Sequence, residues 1–287
     1  MKRDELVAKL KQLYDDASKH ARYQNVPEFV RRELGYREPI NEEWRGDTAR
    51  YGYLQGVLDL SAGQAVGDVG ANTGFFTLSL ARERGDCRLT AYEPHPGHAE
   101  FIRLVVEYFS LRNVRVERVL LDLAHVPDMG PADVLLLLNV LHHAGFDFDP
   151  SVDREPAAFA DYAVEYLARL RPNTERLVFQ MGTNQGGSKQ HPLVDSRDEP
   201  GKLRYQLSIL NRAGWTAERV ALARKNDDGR IDYLALAPAA VEAAVAGRDG
   251  EVRAALEPHH LDRFPGEFYR RPLWICRKVR RPEEKHG

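Results

Sequence analysis

Apolar positions follow helical spacing at the start of the chain and then switch to short strands alternating with helices. Leu6, Leu10, Leu13, Ala17 and Ala21 recur every three or four residues, the stripe of an amphipathic helix. A second short helix is expected from Pro27, a residue suited to a first helical turn, and carries Phe29, Val30 and Leu34. Residues 35–60 are richer in Gly, Pro and aromatic residues (Tyr36, Trp44, Tyr51, Tyr53), and residues 1–61 together read as a helical N-terminal cap. After Gly63 the period changes. Short apolar runs stand at Ala65–Val69, Leu89–Tyr92, Val114–Val119, Val134–Leu138 and Leu177–Met181, with helical patterns between them at Phe75–Arg84, His98–Phe109 and Ala157–Leu170. Strands alternating with helices of this length make βαβ units on a parallel sheet covered on both faces. The unbroken apolar run Val134–Leu138 suits a central strand buried on both sides. A helix over Lys202–Arg212 should stop at Gly214, a C-cap residue. Strands around Glu218–Ala223 and Ile231–Ala237 flank Asn226-Asp227-Asp228-Gly229, which is hairpin chemistry. An Ala-rich helix and a strand over Pro272–Arg277 complete residues 239–287. The expected fold is α/β: a doubly wound, mostly parallel sheet with an antiparallel edge hairpin. It would have a cap (1–61), a main domain (62–238) and a C-terminal extension packed on that domain (239–287).

Composition narrows the classes. With 43% hydrophobic and 29% charged residues the chain has the balance of a folded protein, which excludes intrinsic disorder. No apolar run approaches the roughly 18 residues of a membrane span, and the N-terminal MKRDELVAKLKQLYDD lacks the apolar core of a secretory signal. Cys87 and Cys276 form neither a disulfide framework nor a zinc ligand set, so a reducing cytoplasm is the expected compartment. A net charge of −2 argues against nucleic acid as a habitual partner. Basic residues nonetheless gather near the C-terminus at Arg263, Arg270, Arg271, Arg277, Lys278, Arg280 and Arg281. They read either as a solvated edge or as a site for an anionic substrate or RNA backbone.

The most informative segment is Gly67-Asp68-Val69-Gly70-Ala71-Asn72-Thr73-Gly74-Phe75, which follows a strand and opens a helix. In such sheets ligands bind outside the strand C-termini. A dinucleotide fingerprint needs G-x-G-x-x-G, but Asn72 and Phe75 stand where glycines should, so NAD is the lesser reading. The pattern present, D-x-G-x-x-x-G, suits S-adenosylmethionine, which carries no phosphate. Asp68 would favour its ammonium, directly or through water, and the loop amides and helix start would favour its carboxylate. Glu93, in Ala91-Tyr92-Glu93-Pro94 at the end of the next strand, would accept both ribose hydroxyls. A helix-packing loop and a surface acid are the ordinary readings of each feature alone. Their agreement with the strand order argues for a cofactor site.

These residues resemble the class I (Rossmann-like) S-adenosylmethionine-dependent methyltransferases. Asp68-Val69-Gly70-Ala71-Asn72-Thr73-Gly74 looks like the first motif of that superfamily and Tyr92-Glu93-Pro94 like its second, and VGANTGFFTLSLA…AYEPHP is similar to the FkbM group, which methylates hydroxyls on small molecules and sugars. Ala132 to His143 looks instead like the fourth motif of broader methyltransferase families. The resemblance spans roughly residues 62–237. It implies a Rossmann-like fold, S-adenosylmethionine as cofactor and S-adenosylhomocysteine as product. It also implies cofactor contacts at Asp68, Gly70, Ala71, Asn72, Gly74, Phe75, Glu93 and Pro94, an adenine contact at Asp122 with Leu123 beside the ring, and Asn139 below the methionine part or facing the acceptor.

Methyl transfer is an in-line displacement in which positioning does most of the work. A hydroxyl acceptor also gains from a general base. His142 and His143, after the expected central strand, are the candidates, since an imidazole of pKa ~6.5 takes a proton near neutrality. The same segment reads equally as a loop covering the cofactor. A polar cluster after the fifth strand (Gln180, Thr183, Asn184, Gln185, Lys189, Gln190, His191) would suit a hydroxylated acceptor or a plain surface loop. Gly182, Gly187 and Ser188-Lys189 fail the P-loop order, and the pairs His95/His98 and His259/His260 read as packing or surface residues. Asp147, Asp149 and Asp153 fall short of a calcium loop, and no metal is expected. The function expected is methyl transfer to a hydroxyl of a small-molecule or glycan substrate. The alternatives are an RNA-modifying methyltransferase and a catalytically inactive methyltransferase-like binding protein.

Overall fold

The computed structural model describes residues 1–14, 24–36, 46–264 and 266–279. Ala17, Ala21, Trp44, Arg280 and Arg281, which enter the sequence reading, lie outside the described residues. The chain divides into two compact units, residues 1–121 and 122–287.

In the first unit, α1 (Arg3–Tyr14), α2 (Glu28–Leu34) and α3 (Asp47–Val57) precede β1 (Ala65–Val69), α4 (Phe75–Glu83), β2 (Arg88–Tyr92), α5 (Pro96–Tyr108) and β3 (Val114–Glu117). Helix α2 starts after Pro27 as expected and ends at Gly35, which is left-handed (φ 64°). The strands run parallel in the order β3-β2-β1, with Val66 opposite Leu89 and Leu89 opposite Val114. Helix α1 buries Leu6, Leu10 and Tyr14, and Tyr14 meets Phe101 of α5 with ring centroids 6.4 Å apart. Helix α3 was not expected as such. It buries Asp47 and Arg50 as an ion pair 2.5 Å apart, so its inward face lacks the apolar stripe that marks a helix.

The second unit comprises β4 (Ala132–Leu138), α6 (Pro156–Leu170), β5 (Thr174–Gln180), α7 (Glu199–Arg212), β6 (Trp215–Lys225), β7 (Ile231–Ala235), α8 (Pro238–Val245), α9 (Asp249–Leu256) and β8 (Leu273–Lys278). Its strand order is β4-β5-β8-β6-β7. β4 and β5 are parallel, and every later pairing is antiparallel. Val134 to Leu137 are fully buried, as a central strand requires. Gly214 takes the left-handed position after α7 (φ 80°), and the Asn226–Gly229 turn joins β6 to β7 as a hairpin. The last strand is the surprise. β8 does not lie at an edge but runs between β5 and β6, where Trp274 pairs with Phe179 on one side and Val220 on the other.

Among the described residues five of the eight strands run in parallel ladders, flanked by helices and followed by an antiparallel edge. This is the Rossmann-like α/β architecture. Among the described residues no helix is long and apolar enough to cross a membrane.

Candidate functional site

In the first unit the loop between β1 and α4 folds back on the end of β2. Gly70, Asn72 and Gly74 all have positive φ (66°, 53° and 80°), the left-handed region that glycine enters without strain. A Cβ on Gly74 would stand 2.8 Å from Ile102 Cγ1, so this position demands glycine for space as well. Gly70 and Ala71 donate their amides to the Tyr92 carbonyl at 2.9 and 3.2 Å. Asn72 N donates to Glu93 Oε2 (2.7 Å), Thr73 N to Asn72 Oδ1 (2.8 Å) and Gly74 N to the Ala71 carbonyl (2.8 Å). Phe75 N, at the helix start, donates to Gln24 Oε1 at 3.1 Å. The expectation that these amides receive a ligand carboxylate therefore meets a loop in which the protein itself engages amides 70 to 75. Gln24 escaped the sequence reading because nothing local ties it to a loop so far along the chain. Phe75 is buried against Tyr51 and Phe76, whereas Pro94 is exposed.

Two buried carboxylates border this loop. Asp68 is 4% exposed, and its Oδ2 accepts a hydrogen bond from Thr77 Oγ1 at 2.7 Å. Burial pushes the Asp68 carboxyl up to about 7, against the opposing hydrogen bonds from Thr77, and the Glu93 charge adds to the rise. Glu93 is equally buried. Its Oε1 accepts from His95 N at 2.8 Å and lies 3.7 Å from His98 Nδ1. One backbone bond to each Glu93 oxygen leaves a second lone pair on each. Thr73 Oγ1 is buried in the same loop without a partner among the described residues.

In the second unit Asp122 closes its own turn, with Oδ1 accepting from Ala124 N, His125 N and the His125 ring. Leu123 is pinned by its amide to Asp149 Oδ2 (2.9 Å) and by Arg169 Nη1 to its carbonyl (2.8 Å), while Tyr162 donates to the same Asp149 oxygen (2.5 Å). Asp153 accepts from Glu155 N. Of the aspartates weighed as metal ligands, Asp149 holds Leu123 and Tyr162, Asp153 a turn, and Asp147 lies beside His143; no group of three or more His, Cys, Asp or Glu among the described residues is placed to hold a metal.

Beyond β4 the chain turns at Asn139 (φ 60°) into a short helical turn, Leu141–His143. Asn139 Nδ2 donates to Gln180 Oε1 (3.0 Å), and Arg271 Nη1 donates to Asn139 Oδ1 (2.8 Å). Arg271 also pairs with Glu267, whose other oxygen accepts from Thr183 Oγ1 at 2.5 Å. Burial raises the Glu267 carboxyl, but the Arg271 cation and the Thr183 bonds hold it below its ordinary range. From the sequence Arg271 belongs to a basic run that reads as a solvated edge or a site for an anionic substrate or RNA backbone, and nothing marks Glu267. Their inward role was hidden because each ligates a residue at least 84 positions away.

The two histidines separate sharply. His142 is 2% exposed with no partner for its buried Nδ1 among the described residues. Its ring edge rests on Gly182, where a Cβ would stand 2.8 Å from Nε2 and 3.1 Å from Arg271 Nη2. Burial, then the neighbouring His143 and Arg271, hold its pKa well below the ordinary histidine value. His143 keeps 23% of its side chain exposed, and its Nδ1 lies 2.8 Å from Asp147 Oδ2. Of the basic run near the C-terminus, Arg263, Arg270, Arg271, Arg277 and Lys278 are each paired with a carboxylate: Asp227, Glu199, Glu267, Glu218 and Glu175.

No protein-family model matches the chain, and no curated protein matches its sequence. Solved structures do resemble it. The bifunctional kinase-methyltransferase WbdD matches at 15% identity over 72% of this chain and 42% of its own, with a TM-score of 0.49, so the chain spans about two fifths of that protein's length. Coclaurine N-methyltransferase, solved with N-methylheliamine and S-adenosylhomocysteine, matches at 15% identity over 96% of this chain and 88% of its own (TM-score 0.49). Precorrin-6y C5,15-methyltransferase from Geobacter metallireducens matches at 11% identity over 79% and 87% (TM-score 0.43).

Proposed function

We propose that the chain is an S-adenosylmethionine-dependent methyltransferase acting on a hydroxyl of a small metabolite or sugar. The observation that carries the cofactor reading is the pair of buried carboxylates, Asp68 and Glu93, bordering one tight glycine loop. A pyrophosphate brought to two carboxylates would be repelled, so this donor set opposes NAD and suits a cation with a ribose diol. When bound, the cofactor supplies a methyl carbon made electrophilic by its sulfonium. Asp68 would pair with the ammonium and Glu93 would accept the ribose hydroxyls through its remaining lone pairs. The pairing of the C-terminal basic run with carboxylates favours a small acceptor over an RNA backbone.

Calorimetry with S-adenosylhomocysteine tests this reading. Below about pH 7 the Asp68 proton must leave before an ammonium can pair with it. Affinity should therefore climb by about tenfold per pH unit up to that point and level off above it. Linkage gives the ligand-free protein the opposite trend. The folded-state pKa of Asp68 lies above its unfolded value, so the stability it contributes is complete below about pH 4 and is lost as pH rises through 7. Asp68→Asn should remove that loss in thermal melts while weakening the ligand. Absence of binding would overturn the cofactor assignment, and binding with a flat pH profile would overturn the role of Asp68. Turnover of labelled cofactor on small acceptors separates an active enzyme from a binding protein of the same fold.

A further inference from the structure

We propose that Gln24 belongs to the cofactor site as a placeholder for the methionine carboxylate: its side-chain oxygen holds the Phe75 amide until the carboxylate of the ligand takes that amide over. The inference deepens the methyltransferase reading above and rests on it. Its starting point is one hydrogen bond between residues 51 positions apart, from Phe75 N to Gln24 Oε1 at 3.1 Å, at the first residue of helix α4. Of the amides 70 to 75, this one alone is held by a group from outside the glycine loop and the end of β2. Gly70 N and Ala71 N go to the Tyr92 carbonyl and Asn72 N to Glu93, while Thr73 N and Gly74 N go to atoms of the loop itself.

A neutral amide oxygen is a weak occupant of that position. The start of a helix carries about half a positive charge and favours an anion, and hydrogen bonds to an ionised acceptor are about twice as strong as neutral ones. Helix α4 has no acidic residue in its first turn, so its own sequence does not meet this charge. Asp68 reaches Thr77, two residues further along, and with its pKa raised to about 7 it carries only part of a charge near neutrality. Thr73 Oγ1, fully buried in the residue before the Gly74 cap, is a second polar atom of this turn left without a partner among the described residues.

The backbone on either side of the Gln24 side chain is fixed. The Gln24 carbonyl accepts from the Tyr14 hydroxyl at 2.8 Å, and the next amide, Asn25 N, donates to the buried Asp47 at 2.8 Å. Asp47 in turn pairs with Arg50, whose guanidinium lies 5.2 Å from the centre of the Phe76 ring. The exchange therefore needs only a rotation of the half-buried Gln24 side chain, which has solvent to turn into. Without ligand, the placeholder keeps a helix-start amide from standing unpaired. The same contact weakens a carboxylate-bearing ligand by the strength of the bond it must displace, and leaves a ligand without a carboxylate untouched.

Calorimetry on the full-length protein with two ligands tests this: S-adenosylhomocysteine, and its decarboxylated form, which keeps the ammonium and lacks only the carboxylate. Gln24→Ala should tighten S-adenosylhomocysteine by about 2–10-fold, the equivalent of one neutral hydrogen bond, and leave the decarboxylated ligand unchanged. Gln24→Glu sets an anion on the same amide and should weaken S-adenosylhomocysteine by about 10-fold without weakening the decarboxylated ligand. Amide hydrogen exchange gives a second readout. In ligand-free Gln24→Ala the Phe75 amide should exchange faster than in the wild type, and S-adenosylhomocysteine, but not its decarboxylated form, should restore the protection. Equal changes for both ligands, weaker S-adenosylhomocysteine binding in Gln24→Ala, or a Phe75 amide indifferent to the carboxylate would overturn the proposal. Should Gln24→Ala not fold, Gln24→Glu decides: undiminished S-adenosylhomocysteine affinity in it would overturn the placeholder. A wild type that binds neither ligand would instead overturn the methyltransferase reading.

Discussion

Trp274→Ala should cost the fold about 3–5 kcal/mol, the range for removing a large buried aromatic side chain. Trp274 is fully buried on β8, flanked by Phe179 of β5 and Val220 of β6, so the cavity would open inside the sheet rather than at its margin. Its indole Nε1 also donates to Gln206 Oε1 at 2.7 Å, and Gln206 is itself buried on α7. Truncation would leave that oxygen unpaired, at a further cost of about 1–3 kcal/mol. Against a total stability of about 5–15 kcal/mol for a typical domain, the two losses would leave the second unit marginal. Urea denaturation followed by far-UV circular dichroism measures it. Trp274→Phe, which keeps a six-membered aromatic ring and loses the pyrrole half with its donor, should lie between the variant and the wild type. A Trp274→Ala loss below about 1 kcal/mol would contradict the burial of β8 within the sheet.

The second large effect is expected at Glu93. Its two oxygens hold Asn72 N and His95 N, so Glu93→Ala would orphan two backbone donors where the loop meets the end of β2. Hydrogen bonds to a charged group contribute about 1.5–3 kcal/mol each, so losing both ribose contacts should weaken S-adenosylhomocysteine by about 10²–10⁴-fold. Hydrogen exchange should quicken at the Asn72 and His95 amides and leave strand β3 unchanged. Glu93→Gln keeps one acceptor oxygen and should restore part of the protection at one of the two amides. Wild-type affinity in Glu93→Ala would remove this residue from the cofactor site.

What the sequence reveals here follows from which interactions are local. β1 and α4 are legible because Ala65–Val69, the glycine loop and the start of the next helix lie in one continuous stretch. β4 is legible because burial on both faces leaves five consecutive apolar residues, Val134 to Leu138. Helix α3 is not, since an Asp47–Arg50 pair faces inward where apolar spacing would have marked it. The strand over residues 273–278 is visible, but its neighbours are not, because β-strand chemistry carries no address for a partner about a hundred residues away. The histidine pair shows the same limit. His142 and His143 are equivalent in a line of text, yet one turn of backbone encloses the first and sets the second beside Asp147.

The place of β8 has a consequence for how the protein is made. Synthesis proceeds from the N-terminus, and the strand that joins β5 to β6 is translated after both of them. Until residues 273–278 leave the ribosome, β5 and β6 each present an unpaired backbone edge lined by Val178, Phe179, Val220 and Ala221. Open apolar edges of this kind recruit other strands, including those of sister nascent chains. The first unit, whose strands all pair with one another early, can form during elongation. The second must wait for β8. A ribosome stalled between β7 and β8 would hold a half-built sheet, its two open edges a binding site for holdase chaperones.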